Sequence, residues 1–66
     1  MSVAKIIEIT SESETSFEDA IQSGITTASK TVKNIQSAWV KELKVVVDDN
    51  SVSRYRVDLK ITFVVS

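Results

Sequence analysis

An α+β fold of order βαββ, with three antiparallel strands in spatial order 1-3-2 packed on one helix, is what three features of this 66-residue sequence predict. A β-branched run opens the chain, an apolar stripe of helical period follows, and two further β-rich runs meet at Asp49-Asn50. Spacings of three and four mark the helix, whereas apolar residues at every second position mark the strands. No linker, repeat or low-complexity tract interrupts residues 1–66, which read as one domain.

The first strand is "SVAKIIEIT", Ser2 to Thr10, with Val3, Ile7 and Ile9 on one side and Ala4, Ile6 and Glu8 on the other. The small polar stretch "SESETS" follows. Within it Thr15 and Glu18 have the spacing of a capping box, in which a hydroxyl accepts from one free backbone N–H and a carboxylate reaches back to another. From there Phe17, Ala20, Ile21, Gly24, Ile25, Ala28, Val32 and Ile35 draw one apolar stripe along about five turns. Lys30 and Lys33 suit the negative end of the helix dipole, and Asn34 suits a C-terminal cap. Gly24 lies on the apolar side, where it costs up to about 1 kcal/mol relative to alanine, so a close neighbour is expected there.

Two β-rich runs remain, "SAWVKELKVVV" and "VSRYRVDLKITFVV", joined by "DDNS". Asp49 and Asn50 tolerate positive φ, which predicts a tight hairpin. A right-handed crossover through the helix makes strands one and two parallel. Strand three then sits between them, antiparallel to both, and its alternation of Val57, Leu59, Ile61, Phe63 and Val65 suits the centre.

A two-residue turn pairs Asp48 with Ser51 and fixes every pairing behind it. Counting back puts Val40 opposite Leu59 and Ala38 opposite Ile61, on the face that receives the helix. Trp39 points the other way, opposite Lys60, with Ser37 opposite Thr62, Lys41 opposite Asp58, Leu43 opposite Arg56 and Val45 opposite Arg54. This second face mixes Trp39, Leu43, Val45, Val47 and Val64 with Arg54, Arg56, Asp58 and Lys60. One helix cannot cover both sides of a sheet, and apolar surface rimmed by charge marks a contact site. Three readings of Trp39 compete: packing between subunits, a stacking platform for a planar ligand, and simple exposure or packing within the domain.

Composition narrows the classes of function. A lone core of this length covers only about 60% of the surface its unfolded chain exposes, and such chains usually add disulfides, a metal or self-association. Cysteine and histidine are absent, so self-association is the remaining route. The net charge of −1 provides no field to recruit nucleic acid or an anionic membrane. Arg54, Arg56, Lys60, Lys41 and Lys44 form a basic strip, but Asp58 and Glu42 interrupt it. No apolar run approaches the roughly 20 residues that span a bilayer, and the N-terminus lacks a signal peptide's pattern, so a cytoplasmic location is expected.

The chain also resembles a known family. The opening "VAKIIEIT", the helix "SFEDAIQSGITTASKTVKNI" entering "WVKEL", and the closing "YRVDLKITF" are similar to the dodecins across nearly the whole length. That resemblance implies a homododecameric hollow shell, with flavins such as FMN or riboflavin bound between subunits in many members. Flavin-binding dodecins stack the ring on a tryptophan at the start of strand two, where this chain has Ser37. They hydrogen-bond the flavin edge through a glutamine in strand three, where this chain has Arg56. Trp39 stands two residues beyond Ser37 and projects from the same face about 7 Å further along. The sequence is thus more similar to the branch that lacks the stacking tryptophan, in which calcium-binding or ligand-free shells are implied.

An enzyme reading finds no support, since there is no glycine-rich phosphate loop and no base beside the many hydroxyls. The acids Glu12, Glu14, Glu18 and Asp19 would suit a hard cation if their loop folded back, though the helix dipole already explains acids there. Two functions are expected to compete. One is a self-assembling binder of a flavin or another planar or anionic small molecule, lined by Ser37, Trp39 and Arg56. The other is a flavin-free structural or ion-binding shell whose sheet face serves assembly.

Overall fold

The computed structural model describes residues 3–66, and the expected first-strand residue Ser2 lies outside them. The described elements are β1 (Ala4–Ser13), α1 (Phe17–Ala28), β2 (Ile35–Asp48) and β3 (Ser51–Val64). They form one antiparallel sheet of order β1-β3-β2, as the alternation in β3 predicts. Val57, Leu59 and Ile61 of β3 and Ala20 of α1 are fully buried. Around them pack Ile7, Ile9, Phe17, Ile21, Ile25, Ala28, Ile35, Ala38 and Val40.

Both ends of the helix differ from expectation. β1 runs three residues past Thr10, so "SES" is paired strand, with Ser13 opposite Tyr55. The cap is Ser16 and not Thr15: its side chain accepts from the Asp19 amide at 3.0 Å. Ser13, a buried polar residue, prepares that start. Its hydroxyl oxygen accepts from the amides of Thr15 at 2.9 Å and Ser16 at 3.3 Å while its proton goes to Asp19 at 2.7 Å. Asp19 therefore reaches back to a side chain where a capping box would reach a backbone amide.

The helix stops at Ala28, two turns short of the apolar stripe. Ser29 donates its hydroxyl to the Thr26 carbonyl at 2.7 Å, and Lys30 and Thr31 bond to carbonyls three residues back at 3.2 Å, so the chain tightens as it leaves the helix. Lys30 and Lys33 accordingly lie beyond the last turn, and Asn34, at φ 62°, turns the chain into β2. Ile35 belongs to the core from a strand, opposite Phe63, and not from a helix face. Gly24 does sit at a close approach: a Cβ there would meet Ser11 Cβ at 3.0 Å and Leu59 Cδ1 at 3.1 Å.

The hairpin turn is as expected, with Asp49 at φ 51°, Asn50 at φ 63° and Asp48 opposite Ser51. The ladder behind it is interrupted. Between Val46 and Val47 the register shifts, leaving Ser53 as an extra residue on β3, and between Val40 and Glu42 it shifts back, leaving Lys41 extra on β2. The Ser53 hydroxyl donates to the Val46 carbonyl at 3.2 Å and pins the first irregularity. Trp39–Lys60, Val40–Leu59, Ala38–Ile61 and Ser37–Thr62 pair as counted from the turn, because the two offsets cancel. Between them the count fails by one. Leu43 faces Val57, Val45 faces Tyr55, Lys44 faces Arg56 and Glu42 faces Asp58.

Leu43, Val45 and Val47 therefore project from the helix side and not beside Trp39, which corrects the expected composition of the second face. A one-residue offset exchanges faces because side chains alternate. Phe17 closes the covered region with an edge-on contact to Tyr55, ring centroids 5.1 Å apart. Beyond it the hairpin runs on unroofed, and the molecule measures 51 × 19 × 14 Å.

Candidate functional site

The helix-free face is built from the even positions of β1, from the even positions of β3 from Arg54 to Val64, and from the segments of β2 on either side of Lys41. Ser37 and Trp39 stand two residues apart on it, and both are exposed. The indole of Trp39 is 62% exposed, and the Lys60 ammonium lies 5.6 Å from its ring centroid, within cation–π range. Lys60 stands in register between Glu8 on β1 and Trp39 on β2, which puts a positive charge beside the flat apolar surface.

Arg56 occupies the same face but not the same place. Four residues of β3 separate it from Lys60, a distance of about 13 Å along the strand. It is also engaged, because its guanidinium bonds the Glu12 carboxylate, which Arg54 contacts at 3.3 Å as well. One copy of the chain therefore brings Ser37 and Trp39 together and leaves Arg56 apart. Lys41 pairs with Glu8 at 3.7 Å, not with Asp58 as the uninterrupted register would have it.

Lys60 lies outside the expected lining of Ser37, Trp39 and Arg56, and Glu12 is expected only as one of four acids suited to a hard cation. Lys60 was already legible as the partner of Trp39 across the hairpin. Glu12 was hidden because a run of Ser and Glu reads as a loop, whereas Ser11 and Ser13 continue the inward alternation of Ile7 and Ile9. The acidic group expected around the helix start disperses: Glu12 turns to the arginines, Asp19 bonds Ser13, and Glu14 and Glu18 are exposed. Among the described residues no three acidic side chains converge in a way that could hold a metal ion. Also among them, no helix is long and apolar enough to cross a membrane.

The dodecin profile matches residues 3–66 of this chain. The chain belongs to the dodecin family. Solved dodecins superpose closely on it. The Streptomyces davaonensis dodecin is 25% identical with a TM-score of 0.94, covering 98% of this chain and 96% of its own. A single-site variant of the Thermus thermophilus dodecin is 30% identical with a TM-score of 0.94, covering 100% and 98%. The Mycobacterium tuberculosis calcium dodecin, a calcium-chelating antigen with a calcium-binding site, is 35% identical with a TM-score of 0.84, covering 94% and 89%. No curated protein matches this dodecin at the same stringency.

Proposed function

We propose that this dodecin assembles into a homododecameric shell that sequesters a planar small molecule of the flavin class, FMN or riboflavin, between copies on the helix-free face. The observation that carries this reading is the 62% exposed indole of Trp39 with a lysine ammonium 5.6 Å from its ring. An electron-rich indole offers stacking area to an electron-poor ring system, and the adjacent cation favours an anionic or phosphorylated ligand. Ser37 lines the same surface, and Arg56 reaches such a ligand only from a neighbouring copy. The role is binding without catalysis, in the cytoplasm, with neither membrane nor nucleic acid as partner. The test is a titration with FMN or riboflavin. Ligand fluorescence is quenched by the native protein and stays unquenched with Trp39→Ala, whereas unquenched fluorescence with the native protein refutes the reading.

A second reading is favoured by the occupied state of Arg56 and by the 35% identity to a calcium dodecin. In it the face is consumed by contacts between copies, and the shell is flavin-free, structural or ion-binding. Trp39→Ala then weakens assembly in sedimentation velocity while flavin has no effect on either protein, and calcium titration by calorimetry decides between an ion-binding and an empty shell.

A further inference from the structure

Lys60 has a carboxylate opposite it in the sheet and does not use it. Glu8 is its register partner on β1, yet the Glu8 carboxylate pairs with Lys41 at 3.7 Å. Lys41 is the extra residue of β2, released from the ladder between Val40 and Glu42, and its side chain crosses β3 to reach Glu8. Among the described residues the ion pairs are Lys41–Glu8, Arg54–Glu12 and Arg56–Glu12, and Lys60 joins none of them. The next carboxylate on its own strand, Asp58, stands about 7 Å further along. The Lys60 ammonium lies instead over Trp39, 5.6 Å from the ring centroid, on an indole that is 62% exposed.

A cation over an indole is held by the negative face of the ring. A planar ligand that takes the same face of Trp39 puts its own ring beneath the ammonium. A neutral, electron-poor ring gives the ammonium less than the indole did, whereas a ligand that carries negative charge gives it more. We propose that Lys60 selects ligand charge on this face, admitting anionic planar ligands ahead of neutral ones, and that Lys41 is its positioning residue, because it keeps Glu8 from neutralising Lys60. The bulge thereby acquires a role at the site. In the uninterrupted register Lys41 would face Asp58, and Glu8 would be left to Lys60. The ligand part of this assignment rests on the reading of the face as a flavin-class site and narrows it to the charged members, FMN ahead of riboflavin. The uncompensated cation over Trp39 does not depend on that reading.

Trp39 is the single tryptophan of the chain, so tryptophan emission reports on this surface alone. Iodide and acrylamide, an anionic and a neutral quencher of indole, test the protein without any flavin. At low ionic strength the ratio of iodide to acrylamide quenching is expected to be about twofold higher for the native protein than for Lys60→Gln, and Lys60→Arg is expected to keep the native ratio. Lys41→Ala is expected to lower the ratio by releasing Glu8, and Glu8→Gln added to Lys41→Ala to restore it. Equal ratios for native protein and Lys60→Gln overturn the charge selection, as does an indole closed to both quenchers. Failure of the Glu8→Gln rescue overturns the role of Lys41. Should Lys60→Gln lose native circular dichroism, the native protein still decides: its ratio is expected to fall as NaCl rises from about 0.1 to 1 M, and indifference to salt overturns the proposal. With flavins, FMN is expected to bind the native protein more tightly than riboflavin, and Lys60→Gln to narrow that preference by about twofold to fivefold. Absence of flavin binding with the quenching pattern intact refutes the flavin reading alone, whereas equal binding of FMN and riboflavin refutes charge selection alone.

Discussion

Leu59 and Leu43 carry the same side chain on the same side of the sheet, yet Leu59 is fully buried and Leu43 is 58% exposed. Leu59 lies under α1 with Val57 and Ile61. Leu43 lies beyond it with Val45, Val47 and Val52, all among the exposed large apolar residues. Reach decides the difference. Twelve helical residues cover about 18 Å, whereas strands of fourteen residues extend for about 46 Å. Hydrophobicity alone does not place a residue in a core when no element is long enough to roof it.

The largest expected effect breaks that symmetry directly. Leu59→Ala removes atoms from a sealed site and is expected to cost about 3 kcal/mol of unfolding free energy. Leu43→Ala, on the same face, is expected to cost less than about 0.5 kcal/mol in the dissociated chain. Urea unfolding of both variants at low protein concentration checks the pair, and equal costs would show that the hairpin end is covered within one copy.

A smaller effect sharpens where the roof begins. Ser13→Ala strips two backbone amides and Asp19 of a shared hydroxyl at a buried position, and a loss of about 2 kcal/mol is expected. Thr15→Ala, one residue before the cap, is expected to change stability by less than about 0.5 kcal/mol. Had the cap been Thr15, as the spacing to Glu18 suggests, the order of the two costs would be reversed. Thermal unfolding of the two variants distinguishes these starts.

Element order, strand order and turn were legible because each rests on a local cause: a period of two or nearly four, β-branched runs, and residues that accept positive φ at Asp49 and Asn50. The helix-side core was legible for the same reason, and so was the pairing of Trp39 with Lys60. What could not be read were offsets with no compositional mark. Neither Ser53 nor Lys41 is a glycine or proline, so nothing in the sequence announces an unpaired residue. Two such residues cancel, leaving the counted register correct beside the turn and from Val40 back to Ser37 and wrong between, while a third irregularity between Ile35 and Ser37 sets Ile35 opposite Phe63 and not Val64. The early end of the helix was likewise unmarked, because Ala28, Val32 and Ile35 keep helical spacing while Val32 leaves the helix and Ile35 joins β2. At the candidate site this placed Ser37 and Trp39 correctly, gave Arg56 the right face with the wrong neighbour, and put Leu43 and Val45 on the wrong side.

The smallest expected effect tests whether the offset belongs to the backbone or to the Ser53 side chain. Ser53→Ala deletes the hydroxyl bond to the Val46 carbonyl and is expected to cost about 0.5–1 kcal/mol. The bulge itself is expected to persist, because returning to the uninterrupted count would move Leu43 and Val45 to the Trp39 face and carry Glu42 and Lys44 to the helix side. Cross-strand proton contacts in nuclear magnetic resonance spectra report the register directly. Contacts between Leu43 and Val57 surviving in the variant would show that β2 and β3 hold the offset without the hydroxyl. Contacts between Leu43 and Arg56 would instead show that one side chain selects which charges the outer face presents.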